Sequence, residues 1–176
     1  MQKTEPVTFT ELLYSVVIGT AITRIDSLEL TQANILLLVA LLIIFDDYFL
    51  YHHAVTDVEH TSKNAIGLFW LDMVVLLIWY AVAISTQYSL PVFFFCVSIF
   101  FISTSIWELI FSKEPLWKRV VWESDFVVFF MAQFFSFNSH YNVVMNLSFW
   151  SYVTAFLVFF AFWRWRSYKE IWNTIT

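Results

Sequence analysis

The chain has 176 residues, of which 60% are hydrophobic and 13% are charged, and its net charge is −5. Charged residues make up about 25% of an ordinary soluble domain, so this chain carries roughly half of that share. A soluble domain of this length could not bury so much apolar surface, so the composition excludes that class and predicts an integral membrane protein.

Six hydrophobic segments are each long enough to cross a bilayer, which takes about 20 apolar residues. In chain order they cover residues 8–26, 33–53, 65–86, 90–111, 117–137 and 143–163. The connections are short, so neighbouring segments are expected to run antiparallel. The sequence therefore predicts an all-α, six-helix transmembrane domain over residues 1–163. A basic, aromatic tail over residues 164–176 suits the membrane interface.

The basic residues predict the orientation of these segments. With six spans, all but one of them fall on the side of the N-terminus: Lys3, Lys63, Lys113, Lys118, Arg119, Arg164, Arg166 and Lys169. Arg24 alone falls on the other side. Because basic residues are concentrated in cytoplasmic loops, both termini are predicted to be cytoplasmic, in a multi-pass protein of the inner membrane.

The first segment is the most polar of the six and carries two adjacent stripes at helical spacing. One consists of Glu11, Ser15 and Gly19, and the other of Val16, Thr20 and Thr23. Polar groups that face lipid cost free energy, so such stripes are not expected on a helix that faces lipid. Two interpretations stay open: close packing of small residues against other helices, or a helix that lines a water path.

Acidic residues concentrate in the cytoplasmic third of the predicted membrane domain. Asp46 and Asp47 lie near the inner end of the second segment, and Asp72 lies about two turns into the third. Asp72 has apolar neighbours on both sides, so a polar role inside the bundle is predicted for it. For Glu108, Glu123 and Asp125, hydration and pairing with nearby cations are expected, and the cations are Lys113, Lys118 and Arg119.

A histidine-rich stretch follows the second segment. His53, Asp57 and His60 share a helical face and could bind zinc, but the spacing departs from established helical metal motifs. The more ordinary interpretation is that His52 and His53 bond polar groups of neighbouring segments, with Asp72 the favoured partner. We therefore predict no bound metal and no cofactor. No catalytic, phosphate-binding or nucleic-acid motif is present, so an enzyme is not predicted.

Three short motifs within residues 5–86 resemble one family. Phe9-Thr10-Glu11 is similar to the Phe-Ser-Asp signature of the transmembrane protein 175 family of potassium channels. His52-His53 resembles a histidine pair of its bacterial members, and the segment from Phe69 through Trp70 and Asp72 resembles their third span. The chain departs from the pattern at Glu5, where the family has Arg, and at Thr10, Glu11 and Asp72, where it has Ser, Asp and Asn.

The resemblance implies a tetramer of six-span subunits in which the first helices line a pore. Carried over by position, the apolar constriction falls at Val16, and Thr20 and Thr23 line the next turns. Asp46 and Asp47 would join Glu11 and Asp72 in an acidic inner mouth that concentrates cations. The function predicted is passive conduction of a monovalent cation across the bilayer, and the resemblance implies that this cation is potassium. The alternative is a non-conducting membrane sensor or anchor that recruits a soluble partner protein.

Overall fold

The computed structural model describes residues 5–24, 31–57, 65–111, 125–141 and 147–175. Within these residues the fold is all-α, with no strand and with helices α1 (Glu5–Ile22), α2 (Gln32–Asp57), α3 (Ala65–Ser85), α4 (Leu90–Phe111), α5 (Phe126–Tyr141) and α6 (Phe149–Ile175). The predicted bounds of α3 and α4 agree with the structure to within one residue. Residues 117–124 and 143–146 of the last two predicted segments lie outside the described residues, and α6 continues through the predicted tail.

The chain divides into two compact units, Met1–Tyr88 and Ser89–Thr176. The first unit contains α1 to α3, and the second contains α4 to α6. The single transmembrane domain expected over residues 1–163 stays a prediction.

The core of the first unit forms where one aromatic side chain of α1 enters between α2 and α3. Tyr14 is buried, and its ring lies 5.3 Å from that of Tyr48 and 4.4 Å from that of Trp79, edge to face with the latter. The core is completed by the buried apolar residues of α2 between Ile35 and Ile44 and of α3 between Val75 and Ala83. Aromatic pairs in such geometries contribute about 0.5–1.5 kcal/mol beyond their burial.

The core of the second unit consists mainly of phenylalanine. Phe94 of α4 packs against Phe135 of α5 and Phe156 of α6, with ring centroids 5.3 Å and 5.4 Å away. Side-chain hydrogen bonds join the same helices. The Ser136 hydroxyl of α5 donates to the Pro91 carbonyl at the start of α4 (2.8 Å), and the buried Asn138 amide donates to the Tyr152 hydroxyl of α6.

Apolar side chains also cover much of the outer surface. On α2, a stripe of four exposed residues repeats at helical spacing: Leu38, Leu42, Phe45 and Phe49. Comparable exposed residues lie on α3 (Trp70, Val74 and Leu77), α4 (Val92, Phe95 and Ile99) and α5 (Phe130, Phe134 and Phe137). By length and composition, one helix among the described residues contains a candidate membrane span, Gln32–Phe49 in α2. Shorter apolar helical segments cover Leu12–Ile22, Phe69–Ser85 and Leu90–Ile106.

Candidate functional site

The outward face of α1 is the surface on which the two predicted stripes meet. Ser15, Val16, Gly19 and Thr23 are exposed, and Val16 has 61% of its surface accessible. Tyr14 and Ala21 lie on the opposite face, where they are buried in the first unit. Thr20 is half-buried at the edge. The pore-lining residues predicted from the sequence therefore form one continuous face, which the other described residues leave largely accessible.

Leu12 belongs to the same face and was missed by the sequence analysis. It lies one turn before Val16 and is equally exposed, at 61%. The signal was available, because residues at i and i+4 of a helix share a face. Leu12 and Val16 thus form two successive apolar positions, followed along the helix by the smaller Gly19 and Thr23.

Gly19 occupies the middle of this face with open space around it. A Cβ atom added there would meet no heavy atom within 4 Å. Glycine inside a helix costs about 1 kcal/mol relative to alanine, and no contact with the described part of the chain requires it. The outward faces of α2 and α4 differ from that of α1, because their exposed residues are large and apolar. These lie between Leu38 and Phe49 on α2 and between Val92 and Ile106 on α4.

Thr20 of α1 and Thr23, which directly follows the helix, direct their hydroxyl protons towards nearby backbone carbonyls. Thr20 Oγ1 donates to the Val16 carbonyl (2.8 Å), and Thr23 Oγ1 donates to the Thr20 carbonyl (2.9 Å). A hydroxyl has one proton and two lone pairs, so each of these oxygens has its donor already used. What the threonines offer outward is acceptor capacity, which suits a cation better than an anion.

Asp72 and Trp70 lie on different sides of α3. Asp72 is 5% exposed and shares a helical face with Val75, Leu76 and Trp79 in the core of the first unit. Trp70 is 64% exposed, because residues two positions apart on a helix point in nearly opposite directions. The structure therefore does not bring together these two members of the predicted signature network. Asp46 and Asp47 are both half-buried.

The remaining members of the predicted network lie outside the described side chains. These are Phe9, Thr10 and Glu11 of α1 and His52 and His53 of α2. The predicted bond between Asp72 and a histidine thus stays a prediction. Asp57 and His60 also lie outside the described side chains, and among the described residues no three His, Cys, Asp or Glu side chains are grouped to bind a metal ion.

A buried ion pair in the second unit corrects one expectation for Asp125. Hydration was expected, but Asp125 is only 1% exposed and pairs with Arg164 of α6. The other expected partners, Lys113, Lys118 and Arg119, lie outside the described residues. Arg164 Nη1 lies 2.9 Å from Asp125 Oδ1, and Nη2 donates to Oδ2 (3.2 Å). The hydration expected for Asp125 is wrong because Arg164, which the sequence places in the interfacial tail, is itself buried in α6 and pairs with it.

Comparison of the chain with known protein families, with curated proteins and with solved structures finds no match. The resemblance to the potassium-channel family thus rests on the short motifs of the sequence.

Proposed function

We propose that the chain is a subunit of an oligomeric membrane channel that conducts a monovalent cation, most simply potassium, through a pore lined by α1. The observation that carries the proposal is the outward face of α1. It combines exposed apolar positions (Leu12 and Val16) with a glycine and threonine hydroxyls, on a helix whose opposite face anchors it to the rest of the first unit.

The exposed apolar stripes support a lipid environment for the other helices. In a soluble protein, the stripe of four large apolar residues on one face of α2 would be exposed to water. Soluble monomers rarely expose contiguous apolar patches of that kind. In a bilayer the same side chains would face acyl chains at no cost. The six-span arrangement, with both termini cytoplasmic, follows from the sequence segments and the distribution of basic residues.

The chemistry of α1 supports conduction of cations. Val16 is a suitable residue for an apolar constriction, which controls ion passage by resisting hydration. Beyond it, Thr20 and Thr23 present oxygen lone pairs, which are ligands for hard cations. Because one helix cannot enclose a pore, the proposal requires several copies of α1 around an axis, and the family resemblance favours four.

The proposed topology predicts the locations of the C-terminus and of the connection between α3 and α4. A reporter fused after Thr176 should be cytoplasmic, and one inserted within residues 85–89 should be periplasmic. The physical reason is the retention of basic segments on the cytoplasmic side. Alkaline phosphatase and green fluorescent protein fusions measure the two locations. A periplasmic C-terminus would rule out the six-span arrangement.

The constriction predicts the effect of shortening Val16. In liposomes containing the purified protein, Val16→Ala should raise potassium flux several-fold, since a smaller side chain widens the apolar segment and lowers the cost of hydrating it. The matched control is Val74→Ala, which removes the same atoms from an exposed valine on α3 and should leave flux unchanged. Absence of flux from the wild-type protein and both variants would favour the sensor or anchor function instead.

A further inference from the structure

The buried ion pair of the second unit is the centre of a larger polar cluster. Asp125 Oδ2 also accepts a hydrogen bond from Thr104 Oγ1 of α4 (2.9 Å), in addition to its contacts with Arg164. The Arg164 guanidinium lies 5.9 Å from the ring centroid of Phe101 and 5.6 Å from that of Phe160. Side chains from α4, from the residue preceding α5 and from α6 therefore meet at one buried point.

Arg164 occupies a position where the packing of α6 calls for an apolar residue. Four of the five buried residues described on this helix recur at intervals of four, as Tyr152, Phe156, Phe160 and Arg164, and the fifth is Val153. An ion pair at the end of such a row is costly, because both charges lose their hydration. Replacing a buried pair by apolar residues is often neutral or stabilising, so the pair is weak evidence for stability. Stability alone therefore does not account for a charged residue in this row.

The second polar contact between these helices indicates another role for the pair. Asn138 donates to the Tyr152 hydroxyl, and both side chains are buried. Asn138 follows Asp125 by 13 residues, and Arg164 follows Tyr152 by 12. At ~1.5 Å per residue these intervals are about 20 Å and about 18 Å, so the two contacts match along antiparallel helices. A shift of one turn would bring Asp125 opposite an aromatic residue instead of Arg164.

We propose that the Asp125–Arg164 pair, with Thr104, fixes the register of α6 against α5 and so positions the C-terminal part of α6. The aromatic row alone defines the register poorly, because Phe156 and Phe160 are interchangeable in size and chemistry and can pack one turn out of place. A buried charge cannot make that shift without losing its partner. This inference concerns the second unit and does not depend on the proposed channel.

The test compares single and double replacements in the purified full chain. Arg164→Met and Asp125→Leu each leave one buried charge without its partner, and each should lower the midpoint of thermal unfolding by roughly 10 °C. Arg24→Met is the matched control, since Arg24 is only partly buried and lies over one ring, that of Tyr80. It should shift the midpoint by no more than about 2 °C.

The double variant Asp125→Leu/Arg164→Met separates register from stability. It should recover most of the lost midpoint, because no charge remains buried, but it should populate more than one register. With 5-fluorotryptophan incorporated, Trp163 and Trp165 should each give one fluorine resonance in the wild type and several in the double variant. Any of three results would overturn the proposal. The double variant could give single resonances, it could fail to fold, or the single variants could be as stable as Arg24→Met.

Discussion

Gly19→Leu is expected to reduce potassium flux by a factor of about ten or more, while the fold of each subunit stays intact. The structure leaves open space where the new side chain would begin, with no heavy atom within 4 Å of the added Cβ. Leucine also favours the helical conformation over glycine by roughly 0.8–1 kcal/mol. Within one subunit the replacement should therefore be neutral or slightly stabilising.

The loss of flux would arise between subunits. In the proposed assembly the same face of every copy of α1 is directed towards a common axis, so one replacement adds a bulky side chain from each subunit. These side chains would either fill the pore next to Val16 or prevent the close approach of neighbouring helices. Size-exclusion chromatography with light scattering separates the two causes, because only the second lowers the mass of the assembly.

Gly67→Leu is the matched control for this experiment. Gly67 is also a helical glycine, in α3, and an added Cβ there likewise meets no heavy atom within 4 Å. It does not lie on the α1 face, so its replacement should leave both flux and mass unchanged. If Gly19→Leu conducts like the wild type, α1 does not line a pore. If Gly67→Leu loses flux to the same extent, the loss is not specific to the α1 face.

The sequence predicted the helices well where the hydrophobic segments have sharp ends. Segments 65–86 and 90–111 correspond closely to α3 and α4, because a turn at residues 86–88 and Pro91 in the first turn of α4 separate the two helices. Segment 143–163 was less well placed. Apolarity stops near Trp163, but helix formation depends on backbone hydrogen bonds and continues to Ile175.

The polar sites were predicted unevenly, for a physical reason. The outward face of α1 could be identified because residues that share a helical face follow from spacing alone. The burial of Asp72 could be expected from its apolar neighbours. The partner of Asp125 could not, because Arg164 lies 39 residues further along the chain and periodicity contains no information on which helices meet. The exposure of Trp70 could not be predicted from the local sequence either, since it depends on how α3 is oriented.

Tyr14→Ala is expected to destabilise the first unit by about 3–5 kcal/mol, the range found when large aromatic side chains are removed from a core. Tyr14 and Ala21 are the buried side chains among the described residues of α1. Removing the ring eliminates the contacts with Tyr48 and Trp79 and leaves a cavity beside Trp79, which is itself fully buried. The measurement is the free energy of unfolding, followed by circular dichroism in denaturant.

The same replacement should reduce flux by more than the loss of folded protein explains. Tyr14 and Ala21 fix the rotation of α1, and that rotation determines which side chains face outward. Tyr88→Ala is the control, because Tyr88 is 73% exposed and its removal should change stability by no more than about 0.5 kcal/mol. Tyr14→Phe retains the ring and should conserve most of the stability. If Tyr14→Ala destabilises the protein but conducts normally per folded subunit, α1 is held in its orientation by other contacts.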